Sequence, residues 1–257
     1  MGYIDSHAHL CSKEFNQDIL EIITDFSNNE IDRVVLICCN DKDYIKALAL
    51  AKEFSCFSIA KGIHPEQANE YTEKDLIILD RQLQDGHICL LGEIGLDYHW
   101  IKDNKKQQQE LFIRQIEMAD KYNLPIAVHS RDASEDTYNI LKEFHNSKKG
   151  VMHCYSGSVE MMERYIKLGY YISLAGVVTF ANARLAKEVA VAIPLDRLLY
   201  ETDCPYLSPV PFRGKRNDPN RIVYTANKIA ELKQIDVKKL NEQVKINFQT
   251  LLGESDE

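Results

Sequence analysis

The chain has 257 residues and an ordinary apolar content of 45%, enough for one large domain or two small ones. A formal net charge of −8 argues against broad, non-specific attraction to polyanions, although a local basic patch remains compatible with it. Seven cysteines without a CxxC pair indicate free thiols in a reducing compartment. We expect a cytoplasmic protein without membrane contact, because the sequence has neither a signal-like start nor an apolar run approaching 18 residues.

Short apolar runs alternate with amphipathic stretches along the whole chain. Such runs predict eight strands, at Tyr3–His7, Arg33–Cys39, Cys56–Gly62, Ile88–Glu93, Pro125–His129, Gly150–His153, Tyr170–Leu174 and Leu198–Glu201. Helical spacing between them predicts helices over 42–54 (capped by Asp41), from Thr72 with a capping box to Asp75, over 105–122, from Ser158 to Gly169, between Asn182 and Pro194, from Asp218-Pro219, and from Asp236 to about Leu252.

Strands that alternate with helices predict a parallel sheet. Eight such units in a chain of this length favour a single α/β domain over 1–257, namely a closed (β/α)8 TIM barrel. An open doubly wound sheet is the main rival fold.

Histidines and carboxylates gather where the predicted strands end. They are His7 and His9, Glu93, His129, His153, and Glu201 with Asp203. Active sites of barrels lie at the C-terminal ends of the strands, so these side chains should converge. Imidazole and carboxylate together suit zinc, manganese, iron or magnesium, and six ligands exceed one tetrahedral site. We therefore expect two divalent ions that share a carboxylate. A single histidine usually has only a structural role, which we expect for His87, while His99 is left open.

Several stretches, in order, resemble the TatD family of metal-dependent deoxyribonucleases, which belongs to the amidohydrolase-like barrels. They are "DSHAHL" at 5–10, "GIHP" at 62–65, "GEIGLDYHW" at 92–100, "LPIAVHSRDA" at 124–133, "HCYSG" at 153–157 and "ETDCPYLSPVPFRGKRNDP" at 201–219. The resemblance implies a cytoplasmic nuclease that acts on DNA strands or ends with divalent metal. By match, the metal ligands are His7, His9, Glu93, His129, His153 and Asp203. His64 would meet the scissile phosphate.

The resulting hypothesis is phosphodiester hydrolysis with two ions of Mg, Mn or Zn. One ion would lie between His7 and His9, the other between His129 and His153. Glu93 would bridge the ions, so that no carbamylated lysine is required.

Catalytic and substrate-binding roles complete this hypothesis. Asp203 would accept a proton from the attacking water, and Glu201 would take that role or orient other groups. His64 and Arg131 would contact phosphate oxygens, although a salt bridge from Arg131 to Asp132 or to an acid of a neighbouring loop is an equal alternative.

A basic loop follows the eighth strand. Arg213, Lys215 and Arg216 would contact phosphates there, unless the loop is simply solvated. Aromatic residues also fall in the loops at this end of the barrel, and they either stack on bases or pack the loops: Tyr98, Trp100, Tyr155, Tyr206 and Phe212.

Two other functions remain open at this point. The same residues could hydrolyse an ester or amide, such as an aminoacyl-tRNA ester or a small-molecule lactone. An inactive barrel that serves as an interaction module is a second alternative, which the complete ligand set disfavours. Single-stranded DNA or DNA ends are the expected partner, with no obligate protein partner.

Overall fold

A computed structural model describes residues 2–100, 103–144 and 146–254. One parallel sheet of eight strands, paired in chain order, forms its centre. The strands are β1 Tyr3–Ala8, β2 Ile31–Cys38, β3 Phe57–Lys61, β4 Ile88–Asp97, β5 Ile126–Arg131, β6 Gly150–Met152, β7 Tyr171–Leu174 and β8 Leu198–Tyr200. Helices follow or separate the strands: α1 Ile19–Thr24, α2 Asp41–Glu53, α3 Glu73–Gln84, α4 Lys105–Lys121, α5 Ser134–Glu143, α6 Val159–Lys167, α7 Arg184–Ala192, α8 Ile222–Lys233 and α9 Val237–Leu252.

The segment after β8 returns to β1 and brings the two ends of the sheet together. The amide of Asp203 donates to the carbonyl of His7 at 3.0 Å, and the amide of His9 donates to the carbonyl of Cys204 at 2.8 Å. The result is a nearly closed (β/α)8 barrel, as predicted, and the open doubly wound sheet is wrong. Two metal-ligand candidates, His7 and Asp203, are thereby placed side by side.

Most of the predicted helix caps are present. Thr72 and Asp75 form the capping box of α3, and the Ser158 hydroxyl accepts from the amide of Met161 at the start of α6. The cap of α2 is a correction: Asn40, not Asp41, accepts from the Asp43 amide, because Asp41 already has helical backbone geometry.

Strand β4 is longer than predicted, and this changes the surroundings of Glu93. The strand continues to Asp97, because Ile94 and Leu96 are fully buried in the barrel wall. Gly95 makes this possible: its φ is +142°, and a Cβ there would lie 2.0 Å from the carbonyl oxygen of His129. β4 and β5 therefore approach closely beside Glu93.

All seven cysteines lie in the described part of the chain and are free thiols, as expected. No helix within the described ranges is both long and apolar enough to cross a membrane.

Candidate metal centre

His7 and His9 point to the same side of the barrel mouth because they are two residues apart on an extended segment. Their Nε2 atoms are 3.3 Å apart. Oε2 of Glu93 lies 3.4 Å from Nε2 of His7 and 3.6 Å from that of His9. Oδ1 of Asp203 lies 3.5 Å from Nε2 of His9 and 3.9 Å from that of His7. Four side chains, from β1 and the residue after it, from β4 and from the segment after β8, thus face one point.

These spacings fit a shared metal ion. Ligand atoms held tetrahedrally at about 2.1 Å from a cation lie about 3.4 Å from one another. The distances among His7, His9 and Glu93 match this value, and they exceed those of good hydrogen bonds. The donor set of two imidazoles and two carboxylates suits a divalent ion.

The other carboxylate oxygen of Glu93 faces a second set of imidazoles. Oε1 lies 2.6 Å from both Nδ1 of His129 and Nε2 of His153, whose nitrogens are 3.3 Å apart. Nε2 of His64 lies 3.5 Å from the same oxygen. The buried carboxylate therefore lies between two histidine clusters, which also touch where the rings of His7 and His153 stack at 3.9 Å. The predicted ligands converge as a set.

His64 lies within the second cluster, although it was predicted to contact the scissile phosphate and not to join the metal ligands. It stands with Glu93 and His129 in a group able to hold a cation, and its ring is 4.8 Å from that of His129. Its Nδ1 accepts from the amide of Glu66, which leaves Nε2 toward the centre. His64 can therefore bind a metal or a phosphate oxygen there.

Burial would ordinarily keep a carboxyl group neutral, and it raises the pKa of Glu93. The positive charges of His153 and His64 and the hydrogen bond from His129 outweigh this effect and hold the pKa well below its usual range. Burial likewise lowers the pKa of His153, but the charge of Glu93 and the contact with Glu201 raise it well above its usual value. Without metal, protonated imidazoles thus compensate the buried carboxylate; a bound cation would replace those protons.

Asp97 is a candidate functional residue that the predicted strand ends missed. Its Oδ2 lies 2.9 Å from Nε2 of His129, while Oδ1 accepts from the amides of His99 at 2.8 Å and Trp100 at 3.2 Å. Burial raises its pKa, yet these hydrogen bonds prevail and lower it to about 2. An ionised Asp97 keeps the His129 proton on Nε2 and turns Nδ1 toward Glu93.

Glu201 has a supporting position behind His153. Its Oε1 lies 3.3 Å from Nδ1 of His153 and accepts from the amide of Cys154 at 2.7 Å. The carboxylate is fully buried and lies behind the imidazole, where it can orient the ring, whereas Asp203 is the carboxylate beside the first cluster. Of the two roles expected for Glu201, this arrangement favours orientation.

Residues at the end of β5 form contacts other than those expected. Asp132 pairs with Nδ1 of His99 at 3.0 Å, and the guanidinium of Arg131 lies over the Trp100 ring at 5.2 Å from its centroid. The exposed Arg131 therefore contacts an aromatic ring, and the alternative of a salt bridge to Asp132 is not formed. His99 itself stays outside the histidine clusters.

The three basic residues after β8 differ in their surroundings. Arg216 forms an ion pair with Asp18, donates to the carbonyl of Glu14 and lies over the Phe15 ring, so its charge is already engaged. Arg213 is exposed and its guanidinium lies over the Phe180 ring, 4.6 Å from the centroid, and Lys215 is exposed. The predicted phosphate contacts of this loop therefore rest mainly on those two.

A family model described as "TatD related DNase" matches residues 4–253, nearly the whole chain. This chain belongs to the TatD family. The YabD protein of Bacillus subtilis, named an uncharacterized metal-dependent hydrolase, is 41% identical over 92% of this chain and 93% of its own length. YcfH of Escherichia coli K12, which bears the same description, is 35% identical over 98% of this chain and 96% of its own.

Solved structures agree with this membership. The TatD homologue YjjV of E. coli K12 superposes with a TM-score of 0.93 at 27% identity, covering 98% of both chains. A TatD family hydrolase of Entamoeba histolytica shares the fold, with a TM-score of 0.86 at 22% identity and 98% coverage of both. The chain is thus a metal-dependent hydrolase of the TatD family, and the residues at its barrel mouth have the chemistry to bind metal.

Proposed function

We propose that this TatD protein hydrolyses phosphodiester bonds of DNA, with two divalent ions on either side of Glu93. The observation that carries the proposal is the division of the histidines between the two carboxylate oxygens. Oε2 faces His7 and His9, and Oε1 faces His129 and His153. Adjacent cation sites suit displacement at phosphorus, where charge develops on both the attacking and the leaving oxygen.

The clusters would hold the ions through imidazole nitrogens and carboxylate oxygens, a donor set that accepts Mg, Mn or Zn. When bound, such ions lower the pKa of a water molecule and neutralise charge on phosphoryl oxygens. Asp203 lies beside the first cluster, and burial raises its pKa while His9 and the neighbouring imidazoles lower it to a net value below the usual one. As an ionised carboxylate, it can accept a proton from the attacking water.

Support for a phosphodiester substrate comes from the rim and from the family. Arg131 at the end of β5 and Arg213 and Lys215 in the segment after β8 are exposed cations, in a chain that is acidic overall. His64 directs Nε2 toward the second cluster, where it can meet a phosphate oxygen. The matching family is described as DNases. Each of these favours a polyanionic substrate over a small neutral ester.

The test is cleavage of labelled single-stranded DNA by the purified protein with Mg²⁺ or Mn²⁺, with EDTA as the control. Asp203→Asn keeps the size of the side chain and one oxygen, and it should lower kcat by about 100-fold or more. Asp196→Asn is the matched control, because Asp196 is an exposed aspartate just before β8, at the opposite end of that strand. If the wild type cleaves aminoacyl esters or lactones and leaves DNA intact, the nuclease proposal is wrong.

A further inference from the structure

The structure separates the aromatic residues of the barrel mouth into two kinds. Tyr98 and Tyr155 are buried, and their hydroxyls donate to Oδ2 of Asp136 and to the carbonyl of Ser158. These two rings pack the loops. Trp100 and Tyr206, by contrast, are 64% and 60% exposed. The apolar surface of a large exposed ring beside a catalytic centre is removed from water only when a ligand covers it.

Both residues with exposed rings are connected to the histidine clusters. The amide of Trp100 donates to Asp97, whose other oxygen contacts His129. The Tyr206 ring lies 6.2 Å from that of His9, in an edge-to-face arrangement. The Tyr206 ring therefore contacts one metal-ligand candidate directly, and the backbone of Trp100 is linked to another through the side chain of Asp97.

The order of the strands places the two rings on opposite sides of the mouth. Trp100 follows β4 and contacts Arg131 at the end of β5, whereas Tyr206 follows β8 and contacts His9 after β1. In an eight-stranded ring, β4 and β5 lie across from β8 and β1. Strands about 4.8 Å apart and tilted by about 36° enclose a ring about 15 Å across. A stacked strand rises about 3.4 Å per nucleotide, so about four nucleotides cover that distance.

We infer that Trp100 and Tyr206 stack on bases of one DNA strand, on opposite sides of the scissile phosphate. This inference rests on the proposed nuclease function and adds the form of the substrate. Unpaired bases are required, because a paired base keeps its faces within the duplex stack. Arg131, over the Trp100 ring, supplies a cation for a neighbouring phosphate.

Trp100 is the single tryptophan of the chain, which provides a direct readout of binding. Titration of the metal-loaded protein with a short phosphorothioate oligothymidylate, which resists hydrolysis, should quench its fluorescence. Trp100→Leu and Tyr206→Leu should each weaken binding by about 5- to 100-fold, measured with a labelled oligonucleotide, whereas Trp100→Phe and Tyr206→Phe retain a flat ring and bind nearly as the wild type. Ile246→Ala is the control, since Ile246 is a half-exposed apolar residue on α9.

Substrates with one abasic residue assign the sides. An abasic residue on the side of Trp100 should lower the cleavage rate of the wild type but not that of Trp100→Leu. An abasic residue on the other side should lower the cleavage rate of the wild type but not that of Tyr206→Leu. Unchanged binding and cleavage in both leucine variants, with DNA still cleaved by the wild type, would overturn the inference and leave the nuclease function standing. Loss in only one variant would overturn the two-sided arrangement. A wild type that neither binds nor cleaves DNA would refute the proposed function itself.

Discussion

Asp97→Asn should weaken metal binding although Asp97 is not among the expected ligands. The asparagine side chain keeps an oxygen that accepts from the backbone N–H groups of His99 and Trp100, whose hydrogen bonds to Asp97 measure 2.8 and 3.2 Å. Its NH2 group would then face Nε2 of His129, where the carboxylate now accepts at 2.9 Å. Two donors cannot face each other, so the neutral imidazole would carry its proton on Nδ1. That is the nitrogen that faces Glu93 and must be free to hold a cation.

The expected loss is about 10- to 100-fold in metal affinity, the usual effect of removing a carboxylate that supports a histidine ligand. In free energy this corresponds to about 1.4–2.7 kcal/mol. Calorimetric titration of the metal-free protein with Mn²⁺ measures it directly. The affected site should be the one at His129, with binding at His7 and His9 retained.

Asp132→Asn is the matched control. It makes the same change in another carboxylate that contacts an imidazole, that of His99 at 3.0 Å, outside the histidine clusters. Equal Mn²⁺ affinity in Asp97→Asn and the wild type would refute the orienting role. An equal loss in Asp132→Asn would show that the effect is a general one of charge.

Four further outcomes are expected. If the two proposed ions occupy the two clusters, His153→Ala and His9→Ala should each lose about half of the bound metal by elemental analysis; undiminished content would contradict the ligand assignment. Metal affinity should rise with pH, and metal binding should release protons. The reason is His153: burial lowers its pKa, but Glu93 raises it well above its usual value. Below that pKa the imidazole carries a proton that competes with the metal, and above it the proton is lost. Calorimetry in buffers of different ionisation enthalpy would detect that release. Metal alone in degassed buffer should restore activity, since Glu93 would supply the carboxylate between the two proposed ions, and a need for bicarbonate would disprove this. Combined Arg213→Ala and Lys215→Ala should reduce the salt dependence of single-strand binding by about 0.7 per lost phosphate contact; an unchanged slope would mean a merely solvated loop.

The convergence of the candidate ligands was predictable because each of them follows or ends an apolar run, and a barrel brings such ends together. Asp97 was missed because the predicted β4 stopped at Glu93. The sequence does contain a signal: residues 93, 95 and 97 share one face of an extended strand, with apolar Ile94 and Leu96 between them. Extending the alternation by four residues would have placed Asp97 beside Glu93. The glycine at 95 obscured it, since glycine usually weakens a strand.

Contacts between distant loops were beyond prediction from the sequence. Arg216 pairs with Asp18 between the loops that follow β8 and β1, and no periodicity or spacing connects those two residues. The exposure of Trp100 and the burial of Tyr98, only two residues apart, likewise depend on packing against other elements. Sequence patterns report which side of an element is apolar; they do not report which loop covers it.

The joining of β8 to β1 also bears on the order of events during folding. His7 belongs to the first strand and Asp203 follows the last, yet both face the same cluster. A nascent or partly unfolded chain that lacks β8 can therefore offer only an incomplete set of donors and should hold cations weakly. High-affinity metal uptake then marks the final step of barrel assembly. Removal of metal by a chelator should consequently become faster whenever the β8–β1 seam opens, even while the rest of the barrel stays folded.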